Sequence, residues 1–474
     1  MWRRTFLAGL GASLLPLPLR AASATNFVFI LADDLGWRDL ACYGNPYFST
    51  PNLDRLASQG ARFTNAYAAC PVCSPTRASI LTGRYPVRTG VTDWIPGRQS
   101  DPKGPIDTPR TAAELKLQET TIAERLKPAG YRSASIGKWH LGGAGFLPTD
   151  QGFDRNIGGN QTGSPPPGPK PYFGPFELPN LQAAAGEFLP EKLTQAATGF
   201  IDQSRGSPFL LYLAHYSVHI PLGAREAIIS RHREKAQGRY NPVYAAMVEA
   251  LDESVGQVMS AVDRAGVAER TMFVFFSDNG GLRYEGKSAQ PVTDNSPLRA
   301  GKGHLYEGGI REPLIVHYPG VTRPGSVIDT PVCSIDFFPT FCEIAGASPG
   351  DVDGVSLLPV LRGGRLKERP LFWHYPHYSN QGGEPGSAIR EGEWKLIEFL
   401  ADGRRELYNL RNDEGERVNL VLRQPDVARR LGAQLEAWRK QSGAVMPARN
   451  PHADPAWPGF QLTGEEKPTP PAAR

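Results

Sequence analysis

The stretch Asn26-Phe27-Val28-Phe29-Ile30-Leu31-Ala32 is almost wholly apolar and stops at Asp33-Asp34. A short continuous apolar run of this kind suits a strand buried on both faces. The design returns three times. Thr271-Met272-Phe273-Val274-Phe275-Phe276 stops at Ser277-Asp278-Asn279-Gly280, Tyr131 to Ile136 runs into Gly137-Lys138-Trp139-His140, and Pro208 to Ala214 runs into His215-Tyr216-Ser217-Val218-His219. Helical patterns lie between them: Thr121-Ile122-Ala123-Glu124 has capping-box spacing, and Tyr244 to Val262 is apolar at helical period with Gly266 close behind. Strands alternating with helices predict an α/β fold, a mostly parallel sheet sandwiched by helices. Ligands of such sheets sit beyond the carboxyl ends of the strands, so runs ending in Asp, Asn, Lys and His can converge on one crevice.

Further out, Leu371-Phe372-Trp373-His374, Trp394-Lys395-Leu396-Ile397 and Leu407-Tyr408 read as short strands, and Asp426 to Arg439 as a closing helix. They predict a smaller antiparallel sheet plus helix, packed on the large domain. The expected organisation is a catalytic domain over 25–360, a subdomain over 361–446 and an extended, Pro-rich tail over 447–474. Residues 158–179, rich in Gly and Pro, are expected to form a loop rather than an element, either a linker without a role or a lid or pocket wall. The 474 residues contain 51 Gly and 44 Pro without a period, which implies many loops rather than low complexity.

Residues 1–24 read as an address. Arg3-Arg4 precede an apolar run from Leu7 to Leu17 that is too short to span a bilayer, and Ala22-Ser23-Ala24 follow like a cleavage site. The pattern suits a twin-arginine signal or an ordinary secretory one, and either predicts use of export machinery and a periplasmic or secreted protein without a transmembrane anchor. The formal charge of +4 falls to +1 once Arg3, Arg4 and Arg20 are removed, so no electrostatic case for nucleic acid remains. Of the five cysteines, Cys42, Cys70, Cys73, Cys333 and Cys342, at least one stays unpaired; Cys333 with Cys342, or Cys42 with Cys70, are candidate pairs.

Cys73-Ser74-Pro75-Thr76-Arg77-Ala78-Ser79-Ile80-Leu81-Thr82-Gly83 reads as a helix start with Pro in its first turn and a terminating Gly. Cys73 then sits at the positive end, with Arg77 one turn away on the same face. This segment resembles the sulfatase signature, CxPxR followed by an apolar pair and TG. Lys302-Gly303-His304-Leu305-Tyr306-Glu307-Gly308-Gly309 is similar to the family's KGxxYEGG element, and GKWHLG at 137–142, Asp33-Asp34, Asp278-Asn279 and Glu406-Leu407-Tyr408-Asn409-Leu410 add to the likeness. The resemblance implies an alkaline-phosphatase-like fold and a formylglycine-dependent sulfatase similar to the arylsulfatase and N-acetylgalactosamine-sulfatase members. In that family the Cys, here Cys73, is converted to formylglycine (3-oxoalanine), which makes a formylglycine-generating enzyme a partner during maturation.

Asp33, Asp34, Asp278 and the Asn279 carbonyl are hard oxygen donors, a set for Ca²⁺ or Mg²⁺ rather than zinc. The family points to Ca²⁺, with modified Cys73 as a further ligand. By the same resemblance a hydroxyl of the hydrated aldehyde attacks sulfur, and loss of the second hydroxyl's proton expels sulfate. His140 is the expected base, His219 with Lys302 stabilise or protonate the leaving oxygen, and Arg77 and Lys138 clamp charge; the two histidines could exchange roles. The aromatic and histidine cluster Trp373 to Tyr378, with His374 and His377, and Trp94 are candidate sugar contacts. The expected activity is hydrolysis of a carbohydrate sulfate ester on a sulfated mono-, oligo- or polysaccharide. The alternatives are a phosphate or phosphonate monoester hydrolase on the same scaffold, and a catalytically silent sulfoglycan-binding protein.

Overall fold

The computed structural model describes residues 24–457 apart from 99, 169 and 285–290. The address expected over residues 1–24 and the end of the expected tail therefore lie outside the described residues, save Ala24. The central sheet is built from β1 (Asn26–Ala32), β2 (Ala61–Tyr67), β3 (Arg132–Gly137), β4 (Arg155–Ile157), β5 (Phe209–Ala214), β6 (Thr271–Ser277), β7 (Arg311–His317), β8 (Ser326–Ile328) and β9 (Val332–Cys333). Its order is β8-β2-β7-β6-β1-β5-β3-β4, with β9 also paired to β2. Only β7 runs against its neighbours; the other pairings are parallel.

Side-chain alternation along β1 feeds two separate cores, as the pleat demands. Val28 and Ile30 meet Leu53 and Leu56 of helix α1 (Pro51–Gln59), Leu193 and Ala197 of a long helix over Leu189–Gln203, and Val248, Leu251 and Val255 of another over Pro242–Arg264. Phe27, Phe29 and Leu31 face the opposite layer, made by Ala78 and Leu81 of α2 (Cys73–Thr82), Ile122 and Leu126 of the short helix Ile122–Leu126, and Phe337 and Phe341 of the helix Phe337–Ala345. The capping box expected at Thr121 and Glu124 is formed. Two strands that bear on the site, β2 and β7, have no counterpart in the sequence reading.

A four-stranded antiparallel sheet follows: β10 (Leu371–Tyr375), β11 (Gly386–Glu391), β12 (Trp394–Phe399) and β13 (Arg405–Asn409). One face packs Ile389, Leu396 and Leu407 under Leu431 and Leu435 of the closing helix Pro425–Ser442. Its other face sends Trp373, Tyr375, Ala388 and Ile397 against Tyr67, Val72, Leu305 and Ile310 of the large unit. The smaller sheet thus backs the segments that lead into Cys73 and out of Lys302. All five cysteines are free thiols, so neither candidate disulfide pair forms.

Candidate active site

Parallel strands end on the same edge of a sheet, and an antiparallel neighbour begins there. The segments after β1, β2, β3, β5 and β6, and the segment before β7, are therefore brought to one rim by topology alone. Backbone bonds lock the strand ends together: the Asp33 amide donates to the Ser217 carbonyl (2.9 Å), that of Lys138 to Ala214 (2.8 Å), and that of Asp278 to Ala32 (3.1 Å). Gly83, at φ 68, closes α2 with its amide on the Ser79 carbonyl, a left-handed position suited to glycine. Cys73 stands at the first turn of that helix, 2% exposed, with no side-chain cap on the helix amides.

Around Cys73 lies a buried lattice of opposite charges. The Arg77 Nε donates to Asp278 Oδ2 (2.9 Å), one Nη forms an ion pair with the same oxygen at 2.7 Å, and the other Nη donates to the Lys138 carbonyl (2.9 Å). Lys138 Nζ donates to Asp33 Oδ2 at 2.7 Å. Lys302 Nζ spans both oxygens of Asp34, at 2.7 and 2.8 Å. The Asn279 amide donates to Asp34 Oδ1 at 2.8 Å, and His219 Nε2 lies 3.6 Å from Asp34 Oδ2. Arg77 and Lys138 thus hold the carboxylates in place, a tighter and more inward role than a clamp on substrate alone.

One donor atom each from Asp33, Asp34, Cys73 and His219 lie within 4.8 Å of one another. Asp33 Oδ1 and Asn279 Oδ1 are buried without a hydrogen-bond partner, which is costly for an oxygen unless a cation or water satisfies it. Burial, Asp278 and Asp34 together push the Asp33 carboxyl up to about 7 against the pull of Lys138 and Arg77. Burial works on Asp34 in the same sense, but Lys302 and His219 outweigh it and hold Asp34 well below the carboxylate range. Orphaned hard oxygens among crowded acids fit a divalent cation of the Ca²⁺ or Mg²⁺ class.

The histidines differ in their fixed protons. A carbonyl only accepts, so the 2.6 Å contact of His140 Nε2 with the Ile95 carbonyl fixes the proton on Nε2. Nδ1 is left as a buried lone pair with no partner. Burial, then Lys138, lowers the pKa of His140 well below the ordinary value, so the ring stays neutral at physiological pH. His219 puts Nδ1 on the Ile220 carbonyl at 2.5 Å and is lowered to about 3 by burial and Lys302. Lys302 is pushed above its usual range by Asp34, against the cost of burial. Of these two neighbours of Asp34, the protonated one is therefore Lys302 rather than His219.

The expected sugar contacts are placed differently. His374 is buried, with its ring nitrogens on Ser387 Oγ (2.8 Å) and the Val445 carbonyl (3.1 Å). His377 is 1% exposed and pairs with Thr92 Oγ1 at 2.9 Å. His374 is held within the smaller sheet and beneath the chain at Val445, and His377, two residues past the end of β10, is turned onto the Thr92 segment, so both rings are buried in packing. Trp94 is half-buried in the loop whose Ile95 holds His140. That loop anchors itself through Asp93, which accepts from Tyr375 at 2.8 Å, and through the Ile95 amide on Ser74 Oγ at 3.1 Å. Ile95 escaped the sequence reading because a backbone carbonyl has no side-chain signature.

Comparison with known proteins agrees with this geometry. The Sulfatase family model matches residues 25–347, and the model for the C-terminal region of N-sulphoglucosamine sulphohydrolase matches residues 300–441. The chain belongs to the sulfatase family. Among relatives of this sulfatase, a protein of Formosa agariphila named Sulfatase is 35% identical, over 91% of this chain and 93% of that one. The N-acetylgalactosamine-6-sulfatase of Homo sapiens is 34% identical over 77% and 70% of the two chains. The crystal structure of Ps i-CgsB in complex with k-i-k-neocarrahexaose superposes with a TM-score of 0.75 at 27% identity, covering 88% of this chain and 93% of that one. The enzyme is a sulfuric ester hydrolase, with the mostly parallel, helix-flanked sheet and small antiparallel sheet expected from its sequence. No helix among its described residues is long and apolar enough to cross a membrane.

Proposed function

We propose that this sulfatase removes sulfate from a carbohydrate sulfate ester, with Cys73 converted to formylglycine. The observation that carries the reading is the gathering of Asp33, Asp34, Cys73 and His219 donor atoms within 4.8 Å, flanked by Lys138 and Lys302. As a thiol, Cys73 would be a poor nucleophile, since burial pushes it up to about 11 despite two nearby lysines. Conversion to the hydrated aldehyde would supply the nucleophilic hydroxyl, and a hard divalent cation, Ca²⁺ or Mg²⁺, on Asp33, Asp34, Asp278 and Asn279 would supply charge neutralisation.

The remaining steps belong to this chain's own groups. Arg77 keeps Asp278 pointed inward and ties β3 to α2 through the Lys138 carbonyl. Lys138 and Lys302 bring two cations to the place where charge grows on the sulfuryl and bridging oxygens. Lys302 donates to the leaving oxygen, with His219 beside it. His140 Nδ1 takes the proton whose loss releases sulfate, its tautomer fixed in advance by Ile95. Trp94, half-buried beside the Ile95 carbonyl that holds His140, is a candidate ring contact.

The carbohydrate assignment is supported by relatives whose names carry a sugar, among them N-acetylgalactosamine-6-sulfatase and the neocarrahexaose-bound Ps i-CgsB. With the sequence-level address it suggests action in the periplasm or outside the cell. The test pairs two measurements on the native protein: a peptide mass covering Cys73 and desulfation of a panel of sulfated mono- and oligosaccharides. An aldehyde mass with sugar desulfation is expected. An unmodified thiol in every molecule, or faster turnover of aryl phosphate than of any sulfate ester, would overturn the proposal.

A further inference from the structure

A cleft of about 760 Å³ opens between the two units, away from the residues of the catalytic lattice. Six cationic side chains and four carboxylates line it, so its walls carry a net positive charge. Two of the cations are neutralised inside the cleft: Arg430 pairs with Glu391, and Arg411 lies 3.5 Å from Glu393. Three others keep donors unspent. Arg390, 6% exposed, uses Nε on the Gly392 carbonyl and one Nη on Asn65 and Tyr67, and its second Nη makes no hydrogen bond among the described residues. Arg369 gives one Nη to the buried Asp336, while its buried Nε has no hydrogen-bond partner. Lys367 makes no ion pair or hydrogen bond among the described residues. Arg390 faces Leu371 across the sheet, two residues from Arg369, so the pairing register gathers these groups on one wall.

A buried guanidinium donor without an acceptor, as Arg369 Nε is, is costly, and a group with several strong acceptors in tetrahedral array can serve the unspent donors of Arg369, Arg390 and Lys367 together. We infer that the cleft is a second, non-catalytic oxyanion site that binds a sulfate group through Lys367, Arg369 and Arg390. The sulfate could be the free inorganic ion or an ester on a glycan chain, and either satisfies the same donors. The inference does not depend on which ester the catalytic site hydrolyses.

Hydrogen–deuterium exchange on the full chain reads the two sites separately, because the cleft falls in peptides over 362–371 and 389–394. Sodium sulfate, a chondroitin 6-sulfate tetrasaccharide and the desulfated tetrasaccharide are the probes, with sodium chloride at matched ionic strength as control. Protection of these peptides by sulfate or by the sulfated tetrasaccharide, and not by the desulfated one, is the expected result. Protection by inorganic sulfate identifies the free ion as a ligand, and protection by the tetrasaccharide alone identifies the ester. Lys367→Glu, an exposed substitution, should weaken the protecting affinity at least about tenfold while 4-nitrophenyl sulfate turnover is unchanged. No protection, equal protection by the desulfated sugar, or a Lys367→Glu variant that binds as before would overturn the inference.

Discussion

Lys395 reaches from β12 into the body of the large unit, and its removal tests how the two units are joined. Its Nζ is 2.9 Å from Glu307 Oε1 and 2.9 Å from Glu416 Oε1, and all three side chains are fully buried. Glu307 also accepts from Tyr67 at 2.7 Å, and Glu416 from the Glu307 amide at 2.6 Å. Burial, with Glu307 beside it, pushes the Glu416 carboxyl up to about 7, whereas Lys395 and Arg311 overcome burial to hold Glu307 at about 2. Below neutrality the pair thus carries one negative charge opposite one ammonium. Lys395→Met leaves two buried carboxylates without that cation, and breaking such a pair costs about 3–5 kcal/mol. The sign with pH follows from Glu416: its folded pKa lies above the ordinary 4.5, so its contribution is complete below 4.5 and is lost as pH rises to about 7. Without Lys395 both carboxylates hold protons to higher pH, so the variant recovers roughly 1–3 kcal/mol of its deficit between pH 8 and pH 6. Urea unfolding followed by circular dichroism at the two pH values measures this. Adding Glu416→Gln should restore part of the loss. A deficit below about 1 kcal/mol at pH 8, or a larger deficit at pH 6 than at pH 8, would refute the reasoning.

Other expectations follow from the site. His140→Ala should lower kcat for 4-nitrophenyl sulfate by roughly 10²–10⁴-fold, and a variant with more than a tenth of wild-type turnover would remove His140 as base. Because the His140 pKa is lowered, its lone pair stays available in acid, and the kcat/KM profile should show no loss attributable to this ring between pH 8 and 6. Arg77→Lys, which cannot reach both Asp278 and the Lys138 carbonyl, should weaken Ca²⁺ affinity about 10–100-fold, read by calorimetric titration of the chelated protein. Glu312 is fully buried with both oxygens unpartnered, and burial then Asp278 raise its pKa well above the ordinary value. Its folded state binds the extra proton, so wild-type stability falls as pH rises above the ordinary carboxylate range; Glu312→Gln should be more stable than wild type by a margin that grows from pH 5 to 8, and a flat difference would count against a protonated Glu312.

How much of this was legible in the sequence depended on where each constraint lives. β1 and β6 were readable because both faces are buried, which leaves an unbroken apolar signature. β2 was not, since Arg62, Thr64 and Asn65 are only partly buried and break the run with polar side chains. β7 begins with Arg311-Glu312, two charged residues buried by ion pairing or protonation, so its apolar content starts late. The four polar strand ends were foreseen as one crevice because parallel topology alone decides that they meet. What topology does not decide is which partner each group keeps: His374 and His377 have the chemistry of sugar contacts, yet His374 on β10 and His377 just beyond it are both buried on partners of their own. Long-range contacts such as Ile95 to His140 or Lys395 to Glu307 and Glu416 join residues 21 to 88 positions apart, and no local pattern encodes them. The smaller sheet holds Glu307, five residues beyond Lys302, through fully buried charges. One of the sequence's motifs, the element from Lys302 to Gly309, is therefore held in register by residues outside every catalytic motif.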